Sequence, residues 1–149
     1  MERLTPGILR SLAFNLLGGM CIYHNSYAEA ADLLKHTVED PKSNPAVLLR
    51  TLLMLSFAQG TAGVYDEALR NARQAEAIAD ELGIPVMMSQ AIATRVMISC
   101  TCGHGVDEPA LQRALELDDI SGDVPIVLRA GATAGRPHAG LERAIGEGT

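Results

Sequence analysis

Three side chains in the second half of the chain have the chemistry of metal ligands: Cys100, Cys102 and His104, in the order Cys-Thr-Cys-Gly-His. Thiolate and imidazole are favoured zinc ligands, and such a run could fill three tetrahedral positions. The spacing argues against it. Zinc motifs place two to four residues between cysteines, whereas one separates these, and the other Cys/His pair, Cys21 and His24, lies two helix pairs earlier. We therefore expect neither a metal nor a cofactor. Cys100 should pack at a helix end and Cys102 should be partly exposed.

Motifs that carry catalysis are missing as well: the chain has no G-x-S-x-G, phosphate-binding loop, H-E-x-x-H or G-x-G-x-x-G. Gly18-Gly19 and the Gly103/Gly105 pair read as packing and turn glycines. The acids Glu76, Asp80 and Glu81 fit the solvated face of a helix. The chain is not expected to be an enzyme.

What must position any binding residues is a chain of 149 residues with 48% apolar side chains and a formal charge of −6. That length suits one domain burying roughly 70% of its unfolded surface without a disulfide or metal staple. The acidic balance speaks against direct nucleic-acid contact, which needs clustered Lys and Arg. An odd count of three cysteines and no basic, apolar leader point to reduced thiols in a cytoplasm. No window reaches the roughly 18 uninterrupted apolar residues of a membrane span. Ten of the twelve basic residues are Arg, a bias that with abundant Ala and Gly suggests a GC-rich bacterial genome.

The apolar residues repeat at helical, not alternating, spacing. Ile8, Leu9, Leu12, Leu16 and Leu17 mark a helix from Thr5 or Pro6 to about Tyr23. Others are predicted over 27–38, from Asn44-Pro45 to about Ala62, over 65–82, from Ile84-Pro85 to about Cys100, and from Asp107-Glu108-Pro109 to near Leu117. Asn44 is a natural N-cap, prolines fit the first helical turn, and Gly83 suits a helix end.

These helices repeat in pairs. Tyr27-Ala28-Glu29-Ala30, Tyr65-Asp66-Glu67-Ala68 and Asp107-Glu108-Pro109-Ala110 align on their last alanines, and the second interval is slightly longer than the first. At one matching place upstream of these alanines stand Leu17, Leu55 and Met97, and one helical turn after them stand Leu34, Ala72 and Ala114. Asn25, Gly63 and Gly105 occupy the turn between the two helices.

Phe14, Leu17, Gly18, Tyr27 and Ala30 in the first unit, and Leu55, Gly63, Tyr65, Ala68 and Ala75 in the second, resemble the tetratricopeptide repeat. The resemblance implies an all-α, tetratricopeptide-like solenoid of antiparallel helix pairs. Its units would span about 5–41, 44–83 and 84–118, with a degenerate fourth over 123–146. In detail, Gly63-Val64-Tyr65-Asp66-Glu67-Ala68 and Ala79-Asp80-Glu81-Leu82-Gly83 resemble the MalT-type regulatory region of large LuxR-family ATPase regulators. That likeness implies a segment of a longer bacterial transcriptional regulator, one that senses an effector and oligomerises while other domains bind nucleotide and DNA. A stand-alone tetratricopeptide-like adaptor that binds a protein's peptide tail is the alternative.

Carried over residue by residue, the repeat pattern turns the first helix of each unit toward a concave groove. The groove places fall on Asn15, Gly19, Ile22 and Tyr23; on Arg50, Leu53, Phe57 and Gly60; and on Ile92, Arg95, Ser99 and Cys102. Arg50 and Arg95 would grip a carboxylate-bearing protein or small-molecule effector, and their removal should weaken binding without altering stability. The segment 124–145 looks the least protected end, so a homo-oligomer is expected, with no nucleic acid and no membrane as partner.

Overall fold

The computed structural model describes residues 6–121, which form six α-helices. They are α1 (Pro6–Tyr23), α2 (Tyr27–Val38), α3 (Pro45–Thr61), α4 (Tyr65–Leu82), α5 (Pro85–Thr101) and α6 (Glu108–Ser121). No strand occurs among the described residues, and none of their helices is long and apolar enough to cross a membrane. The degenerate fourth unit expected over 123–146 lies outside the described residues.

The predicted breakers act as expected. Asn44 accepts a hydrogen bond from Ala46 N–H at 2.9 Å, and Pro45 takes the first turn, where its missing N–H costs nothing. Gly83 ends α4 in the left-handed region at φ 64°. Only α6 departs clearly, running a turn past the predicted Leu117. Leu117-Asp118-Asp119-Ile120 contains no glycine or proline to stop it, and Gly122 follows its end.

Each helix packs on the next, and α1 also meets α3, as α3 meets α5. The second helices of the pairs, α2, α4 and α6, make at most marginal contact with one another. The first helices thus line one continuous side of a stack of three antiparallel pairs, an all-α helical-repeat fold. Small residues make the close approach possible. Ala30, Ala68, Ala72, Ala75 and Ala79 are fully buried, so α2 and α4 press their alanine faces against larger residues such as Leu49, Leu52 and Leu55. In α6 the fully buried alanine is Ala114, while Ala110 is only half-buried.

Candidate functional site

The backbone defines which side chains share a face. The first helix of each pair ends in the same closure, a six-to-one hydrogen bond around a left-handed residue. Ser26 N–H donates to Cys21 C=O at 2.8 Å, Val64 to Gln59 at 2.8 Å and His104 to Ser99 at 3.1 Å. The left-handed residues are Asn25 (φ 61°), Gly63 (φ 83°) and Gly103 (φ 86°). Measured by these closures, the step from Gln59 to Ser99 is a little longer than that from Cys21 to Gln59. The step between the second-helix alanines Ala72 and Ala114 is longer still. The difference is a longer turn between α5 and α6, in which Gly105 is a second left-handed glycine (φ 79°).

That extra length displaces the third unit's first helix in an alignment made on the second-helix alanines. In the register of the closures Arg95 takes the place of Leu55, and the two do the same job with different chemistry. Leu55 packs with Leu34, and Val38 joins that cluster from α2. Arg95 faces α4, where its Nε donates to Glu76, which holds in α4 the place of Val38 in α2. Its Nη1 and Nη2 also reach Asp107 Oδ2 at 3.3 Å, in the turn before α6. Arg95 is thus a tie between helices, and its guanidinium does not face the open side.

The other predicted places divide in the same way. Ile92 is buried, and Ser99 and Cys102 are half-buried. Asn15 is also buried, its Oδ1 accepting from Thr51 Oγ1 at 2.7 Å across α1 and α3. Gly19 lies against the methyl of Met54, Ile22 against the Ala31–Leu34–Leu55 cluster and Gly60 against Ile98. Tyr23 projects into solvent at 87% exposure, edge-on to His24.

On α3 the predicted places split: Gly60 is buried, whereas others face solvent. Arg50 and Phe57 are exposed two turns apart, with Leu53 half-buried between them. Phe57 meets Tyr27 edge-to-face at 6.3 Å between centroids, so two aromatic rings stand beside the arginine's face of the helix. Among the described residues Arg50 makes no ion pair. In register with Arg50 and Phe57 on α5 are Gln90 and Met97, both half-buried, which the alanine spacing had hidden. The same register is seen in two hydroxyls: Thr61 donates to Phe57 C=O and Thr101 to Met97 C=O, each at 2.9 Å.

Shallow depressions adjoin α2. One, of about 270 Å³, is bounded by Arg10, Phe14 and His36, with Phe14 stacked on His36 at 4.8 Å and Arg10 over Phe14 at 5.6 Å. The other, of about 170 Å³, holds a polar chain in which Asn71 donates to Gln59 and Gln59 to Glu67. Of the cysteines, Cys100 departs from expectation and is exposed, whereas Cys102, one turn beyond Ile98, is partly exposed as expected and sits against the Ala68–Leu69–Ile98 cluster. Among the described residues no three potential ligands gather to hold a metal ion. The chain matches no protein-family model, no curated protein and no solved structure.

Proposed function

We propose that this chain is a helical-repeat binding segment whose open first-helix side takes a carboxylate-bearing protein or small-molecule effector. In this reading it is the sensor and oligomerisation part of a LuxR-family bacterial transcriptional regulator, neither catalytic nor in contact with DNA, acting in the cytoplasm. One observation supports it above others: Arg50 stands exposed on the face of α3 that carries Phe57 two turns on, with no acid paired to it among the described residues, while Arg95 in the same fold is held by two. A guanidinium so placed can give a carboxylate two parallel hydrogen bonds.

A thermal-shift screen of dicarboxylates and acidic peptides tests the reading, because a binder of the native state raises Tm by mass action. Binding should weaken about tenfold or more in Arg50→Ala, the loss of a charge-assisted contact of roughly 1.5–3 kcal/mol. Equal affinity in that variant would remove the basis for the reading. The open, unenclosed form of the face also suits an extended acidic peptide, which favours the adaptor as the second reading. A phosphate-binding loop upstream or a basic helix-turn-helix downstream in the full reading frame separates the regulator from the adaptor.

A further inference from the structure

We propose that the outer side of α1 is a self-association surface through which two copies of this chain meet about a twofold axis at Leu16. Leu9, Leu12, Leu16, Leu17, Met20 and Tyr23 are all exposed along this one helix, Leu16 at 68%. The opposite side of α1 is already used: Ser11 and Gly18 face α2, and Asn15 faces α3. A helix that is apolar all round belongs inside something. The fold shows what kind of surface this is. Thr51 and Met54, which α3 uses to receive Asn15 and Gly19 of α1, hold the places that Ala13 and Leu16 hold in α1. The outer side of α1 is therefore the receiving face of a unit with nothing seated on it among the described residues.

Three features favour a second copy as the occupant. The first is symmetry of spacing. Leu9 and Tyr23 lie two turns either side of Leu16, and Leu12 and Met20 lie one turn either side. An antiparallel mate brings Leu9 level with Tyr23, Leu12 level with Met20 and Leu16 onto itself, the self-complementarity a twofold contact demands. The second is charge. The chain carries −6, so most of its surface repels a copy, yet the only charged residue of α1 is Arg10, held over Phe14 away from the seam. The third is size. At up to about 200 Å² for a large side chain, the exposed fractions leave on the order of 600 Å² per copy, and a symmetric pair removes up to about 1,200 Å², the lower end of the range for a specific interface.

The surface includes neither Arg50 nor Phe57, and its test needs no effector. Sedimentation velocity on the full chain should show two-chain particles at high concentration that dissociate on dilution. Leu16→Glu and Leu16→Lys should each weaken dimerisation about tenfold or more, since like charges would meet on the axis. Their equimolar mixture should recover the dimer, which happens only if Leu16 faces its own mate. Unchanged helical circular dichroism would show the fold intact, and Tyr23→Ala gives a milder second variant. A wild-type chain that stays monomeric at every concentration, a Leu16→Glu chain that dimerises like wild type, or no recovery in the mixture would each overturn the proposal.

Discussion

Gly18 of α1 lies so close to Leu34 of α2 that a Cβ on the glycine would stand 2.7 Å from both Cγ and Cδ2 of the leucine. Leu34 is fully buried, so its branch point has nowhere to retreat. Gly18→Ala gains helix propensity of about 1 kcal/mol but overpacks the crossing by about 1–3 kcal/mol, a net loss of up to about 2 kcal/mol. Gly60 makes a useful control, because there the near atom is Cδ1, the tip of Ile98, and Cγ1 is 4.0 Å away. Rotation of that tip should keep Gly60→Ala within about 1 kcal/mol of wild type. Urea unfolding of the two variants compares them directly.

Ala68 is fully buried in the cluster with Leu69 and Ile98 where α4 meets α3 and α5. Ala68→Leu should overpack this crossing and cost about 1–3 kcal/mol in urea unfolding. The same change at Ala110, which is only half-buried, should cost clearly less.

Arg95 and Arg50 should behave as opposites. Arg95→Ala removes a partly buried tie to Glu76, and the side chains of these two are 19% and 26% exposed. We expect a loss of about 1–2 kcal/mol, with little from the Asp107 arm because that carboxylate is half in solvent and screened. This replaces the sequence-based expectation that removing Arg95 leaves stability unchanged. Arg50→Ala should stay within about 0.5 kcal/mol of wild type, as for an exposed residue away from any network. Thermal melts of both variants at low and high salt would show the difference, and added salt should narrow it.

Asn15 is an imperfectly satisfied guest between α1 and α3. Its Nδ2 is buried without a hydrogen-bond partner among the described residues, and Thr51 Oγ1 has a second acceptor, Val47 C=O, at 2.7 Å. Replacing Asn15 by Leu leaves Thr51 bonded to Val47 and removes the unpaired amide. Stability should therefore hold or rise by about 1 kcal/mol, since a buried donor left unmade costs about 1–3 kcal/mol. A drop in Tm of several degrees would show that the amide is paired in solution after all.

The helices were legible in the residues because their signals are local. Pro45, Gly63, Gly83 and Pro85 bias the backbone whatever surrounds them, and the three- and four-residue apolar steps do not depend on a partner. Five of the six helices accordingly begin and end within a residue or so of their predicted bounds. Arg50 and Phe57 were found as an exposed pair for the same reason, since the first two units keep one spacing at both their helices. Arg95 could not be placed from sequence. The turn between α5 and α6 is longer than its counterparts, and aligning the alanines of the second helices carried that insertion into the first. A shift of two positions turns a helix by about 200°, enough to exchange an open face for a packed one. The outward side of α1 was hidden for a related reason: Leu16 and Leu55 are equally apolar in the sequence, and only the packing leaves one in solvent and buries the other.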